Sequence, residues 1–90
     1  MTRLDLCLDR HNLTAEAEAI VACFGVTLAT VEGKGRRPNA VFARHRIMLL
    51  LRDKAGMSYP EIGRVVGGKD HSSVMYAVAS LRPWFQWEMR

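Results

Sequence analysis

At 90 residues the chain has room for one small domain and one core, and a hydrophobic fraction of 49% with three prolines and seven glycines excludes a disordered polypeptide. Its formal net charge of +4 is unevenly placed. In residues 1–33 two cations face five acids and leave −3, whereas in residues 34–90 eleven cations face four acids and leave +7, so a polyanion is the natural partner of the second part.

Leu4, Leu6 and Leu8 alternate with Arg3, Asp5, Cys7 and Asp9, which predicts a short extended arm over residues 1–13. Charges break this stretch too often for a signal peptide, and no apolar run approaches the ~20 residues of a membrane span. Cys7 and Cys23 read as free thiols of a reducing cytoplasm; the spacing of Cys7, His11 and Cys23 fits no standard zinc signature, so no metal is expected. From Thr14, a candidate cap, the pattern turns helical, with Ala15 to Ala19 of high helix propensity and Ile20, Cys23 and Phe24 facing inward. Gly25 ends this helix. Thr27 caps a second short one over Leu28 to Glu32, which Gly33 stops.

Residues 33–38, Gly-Lys-Gly-Arg-Arg-Pro, form a basic loop, in the plainest reading a solvated connector. Pro38 stands where a helix begins, and Ala40 to Ala55 is the longest helical pattern, with Val41, Arg44, Ile47, Met48, Leu51 and Ala55 on one face and Leu49 and Leu50 widening it. This is the expected central helix. Gly56 ends it, and Ser58-Tyr-Pro-Glu61 is a capping-box pattern opening a short helix buried through Ile62, Val65 and Val66. Gly67-Gly68 then turns the chain into Lys-Asp-His-Ser-Ser, which opens a last helix with Val74, Ala77, Val78 and Leu81 on its inner face. Two helices of this kind joined by a glycine turn describe a helix-turn-helix at 58–81, within a helical core at 14–81. Residues 82–90 are a C-terminal stub in which Trp84, Phe85 and Trp87 either close the core or form a contact surface, for a second copy or another protein.

The polar tip at Lys69 to Ser73 has two readings from residues alone. Asp70 is a helix cap and His71 a solvated side chain, or the tip presents donors and acceptors to base edges in a DNA major groove.

Ser-Tyr-Pro-Glu-Ile-Gly63, followed by Gly-Gly-Lys-Asp-His-Ser-Ser-Val74 and Ala77, resembles the C-terminal DNA-binding domain of the bacterial chromosomal replication initiator DnaA, and weaker similarity extends from about Ala15 to Leu81. The resemblance implies an all-α, compact helical domain with a helix-turn-helix, DnaA C-terminal domain-like and Trp-repressor-like, acting on double-stranded DNA in the bacterial cytoplasm, at the nucleoid. It implies that Asp70, His71, Ser72 and Ser73 read bases in the major groove and that Arg36, with Arg37 as the alternative, enters the adjoining minor groove. Lys34, Arg37, Arg44, His45, Arg52, Tyr59, Pro60 and Lys69 would then hold phosphates.

Departures from the family bear on specificity. Ser72 and Ser73 replace threonines, Lys69 an arginine, His45 a glutamine, and Tyr76 a frequent histidine. The family's ATPase domain has no room here, and no Gly-x-x-x-x-Gly-Lys-[Ser/Thr] loop is present, so neither nucleotide nor any other cofactor is expected. The chain opens on Met1, which points to a free-standing small protein. His11, His45 and His71 have no nucleophile or acid partner by pattern, so the chain is not read as an enzyme. Sequence-preferring DNA binding, at initiator-type boxes and in the service of replication initiation or transcription, is the expected function. A protein-interaction module that keeps the fold and uses the C-terminal aromatics is the alternative.

Overall fold

The computed structural model describes residues 2–84. Among them the chain forms six helices, α1 (Arg3–Arg10), α2 (Thr14–Cys23), α3 (Leu28–Glu32), α4 (Pro38–Lys54), α5 (Tyr59–Val65) and α6 (His71–Leu81), and no strand. One cluster of buried side chains draws on all six, from Leu4 and Ala17 through Val31, Ile47 and Ile62 to Val74. The all-α expectation is met.

The extended arm is not. Residues 3–10 are a helix, started by a capping box in which the Thr2 hydroxyl accepts from the Asp5 amide at 3.1 Å and the Asp5 carboxylate accepts from the Thr2 amide at 3.3 Å. Leu4, Cys7 and Leu8 stand at i, i+3 and i+4 and are buried, while Leu6, in step with them only at period two, is left half exposed. Thr14 is likewise corrected, because α2 is preceded by Leu13 at the cap position and has no side-chain cap bond. Val21, not Cys23, joins Ile20 in the core; Cys23 is exposed.

Helix α4 runs through the middle and packs against α2, α3, α5 and α6. Its start follows from Pro38 at the first helical position, where a missing amide costs nothing. Ile47, Met48, Leu49, Leu50 and Leu51 are all buried in succession, as a helix covered on several sides requires. Arg44 is buried with them, and its guanidinium donates to the carbonyl oxygens of Val31 at 2.8 Å, Thr30 at 3.2 Å and Gly33 at 3.0 Å. The Thr30 oxygen also accepts the Gly33 amide at 3.1 Å, and with all three held a charged fork closes the end of a short helix. Burial lowers the Arg44 pKa, but arginine holds its proton through such shifts.

Helix α5 starts on the expected box, the Ser58 hydroxyl accepting from the Glu61 amide at 3.3 Å and Glu61 Oε1 accepting from the Ser58 amide at 3.0 Å. The turn into α6 is tight. Gly67 and Gly68 have φ of 71° and 69°, and the Lys69 amide donates to the Gly63 carbonyl at 2.8 Å. A Cβ on Gly63 would collide with the Lys69 carbonyl oxygen, and one on Gly67 would come within 2.5 Å of the Glu32 carbonyl oxygen. The turn is thus pressed against the end of α3, beside the basic loop. At the far end of α6, Arg82 binds Asp53 of α4 through two oxygens, at 2.8 and 3.0 Å. Trp84 is 80% exposed; Phe85 and Trp87 lie outside the described residues.

Gly63→Ala is expected to cost about 1–3 kcal/mol in urea denaturation, because backbone rather than a flexible side chain fills the space. Gly35→Ala, where nothing lies within 4 Å of the added carbon, should stay within about 0.5 kcal/mol of the parent. Arg44→Lys keeps the charge but not the fork and should lose about 2–3 kcal/mol, since at least one helix-end carbonyl is left buried without a donor.

Candidate nucleic-acid interface

Asp70 caps α6. Its Oδ2 accepts from the Ser72 amide at 3.1 Å, and Oδ1 stands 3.7 Å from His71 Nδ1. Asp70, His71, Ser72 and Ser73 are all exposed. Because Val74, Ala77, Val78 and Leu81 hold the inner face of α6 to the core, its outer face carries Ser72, and one turn later Met75 and Tyr76. Tyr76 is 71% exposed. Tyr76, in sequence a departure from the family pattern, is set on the same outward face by its i+4 spacing from Ser72.

The basic loop lies against this helix start. Lys34, Arg36 and Arg37 are exposed, between the Arg44-closed end of α3 and the start of α4. Partial burial, and then the charges of Arg44, Lys34 and Arg36 in that order, push the Lys69 pKa down. Four cations therefore converge where the loop meets the helix-turn-helix. A lone lysine amid like charges is a site that an anion relieves.

The remaining phosphate candidates divide. Arg52 and Tyr59 come together, the guanidinium 4.3 Å from the ring centroid, and Arg52 Nη1 also donates to the Met57 carbonyl at 2.9 Å. Pro60 is exposed in the first turn of α5. Arg44 contributes charge from behind, its Nε and Nη2 donating to three carbonyls. His45 opens beside the outer face of α6. It is half-buried in a groove of about 620 Å³ with Phe24, Phe42, Tyr76 and Trp84, and burial first, then Arg44, lowers its pKa. A neutral imidazole in an apolar groove is a poor partner for a phosphate.

No group of three or more His, Cys, Asp or Glu side chains among the described residues is arranged to hold a metal ion, and no described helix is long and apolar enough to cross a membrane.

Comparison with known proteins agrees with this geometry. Residues 17–80 match the family described as the bacterial dnaA protein helix-turn-helix. The chromosomal replication initiator protein DnaA of Roseiflexus castenholzii is 42% identical over 69 residues, 74% of this chain and 14% of the relative. That of Thermomicrobium roseum is 42% identical over 71 residues, 77% of this chain and 15% of the relative. That of Thermus thermophilus is 37% identical over 59 residues, 66% of this chain and 14% of the relative. The chain thus spans about 15% of the length of the relatives it matches. No solved structure matches it. With the match covering α2 through most of α6, and with it the basic loop and the glycine turn, the chain belongs to the family of bacterial DnaA helix-turn-helix domains.

Proposed function

We propose that this chain binds double-stranded DNA with sequence preference, setting the front of α6 in the major groove and the loop at residues 33–37 against the adjoining minor groove. The observation that carries the reading is the convergence of Lys34, Arg36 and Arg44 on Lys69 beside an exposed, hydrogen-bonding helix start. A hydrated surface gains nothing from crowding like charges; a phosphate backbone makes the arrangement favourable.

Within this reading His71 donates to a purine acceptor or packs on a thymine methyl, and the Asp70 oxygen not used by the cap accepts from a cytosine amino group. Ser72 and Ser73 reach base edges with hydroxyls alone, lacking the methyls of threonine. Tyr76 extends the reading surface by one turn. Arg36 enters the minor groove, while Lys34, Arg37 and Lys69, together with the Arg52–Tyr59 pair and Pro60 at the start of α5, seat the backbone. Arg44 acts at one remove, holding the loop. Boxes of the kind the replication initiator recognises are the proposed targets, and regulation of replication initiation or transcription in the bacterial cytoplasm the proposed use. A single module of this size buries about 600–1,000 Å² of protein surface on DNA, which favours paired sites.

Fluorescence anisotropy on an initiator-box duplex and a scrambled duplex, over a range of salt, tests the reading. His71→Ala should cost about 1–3 kcal/mol on the box and little on the scrambled duplex. Asp70→Asn retains a capping oxygen and so separates reading from folding: it should leave stability nearly unchanged and lower preference for the box. Lys34→Ala should weaken both duplexes alike and reduce the salt slope by about 1. Equal losses on both duplexes for His71→Ala and Asp70→Asn would remove base reading.

A pH dependence follows from Lys69. Its pKa in the free fold lies below the ordinary value of about 10.4, so as pH rises it loses its proton before an unfolded lysine does. The fold then binds fewer protons than the unfolded chain, and the cost of holding Lys69 charged, present at lower pH, is relieved on deprotonation. A phosphate restores the proton. DNA binding should therefore take up protons in the alkaline range, seen by calorimetry in buffers of different ionisation enthalpy, and Lys69→Arg should reduce that uptake.

A further inference from the structure

On another part of the molecule, α1 and α5 enclose a cavity of about 350 Å³ that the DNA reading does not use. Its rim is cationic, made by Arg3, Arg10 and Arg64, with His11 beside them. Glu61 also lines it, but that carboxylate is committed. Its Oε1 accepts from both the Ser58 amide and the Ser58 hydroxyl at 3.0 Å, bonds that, with smaller contributions from Arg64 and His11, hold its pKa below the usual carboxylate range. The lining between these charges is apolar. Leu6, 50% exposed, and Val65 face it, and Cys7 closes its base with its Sγ 3.4 Å from the Met57 sulfur.

Two half-fitting occupants can be set aside on chemistry. An inorganic phosphate or a DNA backbone satisfies the rim but leaves Leu6 and Val65 against water or a hydrated anion. An uncharged apolar ligand covers these side chains but desolvates arginines without pairing them. A ligand that carries carboxylates and an apolar side chain together meets both demands, as when an amphipathic segment lays one face on an apolar surface and its acids on the basic rim.

We propose that the α1–α5 cavity is a docking site for an acidic amphipathic segment of a partner protein, the apolar residue seated on Leu6 and Val65 and its flanking carboxylates paired with Arg3, Arg10 and Arg64. None of the residues lining the site is among those assigned to DNA in the proposed function. The basic half of the chain and the otherwise acidic N-terminal stretch meet here, with α1 supplying Arg3 and Arg10 from a segment whose net charge is negative.

The full chain, labelled with nitrogen-15, is titrated with a synthetic helix-forming peptide that carries glutamates on one face and leucines on the other. Amide shifts are expected at Leu6, Cys7, Arg10, Arg64 and Val65, with affinity falling as salt rises. Arg10→Glu with Arg64→Glu, and separately Leu6→Ser, should each weaken binding by about tenfold or more, as should replacing the peptide's leucines with serines. Leu6 is half exposed, so the Leu6→Ser variant and the peptide variant decide the matter even if the double charge reversal fails to fold. The proposal is overturned by an absence of shifts, by shifts centred on residues 34–37 and 69–73, by a leucine-free peptide that binds equally well, or by a DNA duplex that produces the same α1–α5 shifts. None of these results bears on box preference, which Lys34→Ala and His71→Ala report separately.

Discussion

The three hydrogen bonds from the Arg44 guanidinium to Thr30, Val31 and Gly33 are the interaction on which the arrangement of the interface depends. Helix α3 is five residues long, too short to satisfy its own last carbonyls, and it ends beside a loop rich in glycine and cations. Left open, that end would fray and the loop would have no fixed origin. A fork rooted on α4, the helix that α5 and α6 also pack against, gives loop and helix-turn-helix a common base. The contact of Gly67 with the Glu32 backbone locks the second connection between them. Loop and α6 thus share one frame, as the proposed engagement of two adjoining grooves requires.

That frame concentrates positive charge at a cost. Arg44 is buried without a carboxylate to balance it in its bonds, and Lys69 is pressed among Arg44, Lys34 and Arg36. Such a cost is ordinary at a binding surface, where the ligand supplies the missing charge. The same reasoning applies on α1 and α5, where the one carboxylate among the cations of the cavity is occupied by the capping of α5.

Much of this was legible in the residues, and the exceptions have physical causes. Ser58 and Glu61 announced α5, Pro38 the start of α4, and Gly67-Gly68 the turn, because each carries a local constraint that tertiary packing did not override. Thr2 and Asp5 use the same grammar as Ser58 and Glu61, but Leu4 and Leu8 fit a period of two as well as one of 3.6, and Leu6 tipped the reading toward a strand. An arginine at an inward position of α4 gave no indication of its partners, since carbonyls 11 to 14 residues away along the chain are brought to it by the fold alone. His45 next to it has other neighbours, since one residue along a helix is a turn of 100°.

Asp70 shows why capping and base reading are not alternatives. A carboxylate has two oxygens: the cap occupies Oδ2, while Oδ1 remains exposed beside His71. The cap fixes the side chain's rotamer, so the second oxygen is presented in one direction instead of sampling several. On the proposed function, the bond that starts the helix also orders the group proposed to read bases. His71, at the first position of the helix, shares that ordered backbone, and Ser72 gives its amide to the cap while its hydroxyl stays outward. Replacement of threonine by serine at positions 72 and 73 leaves this scaffold intact and removes only methyl contacts, so divergence in sequence preference can accumulate there without loss of the fold.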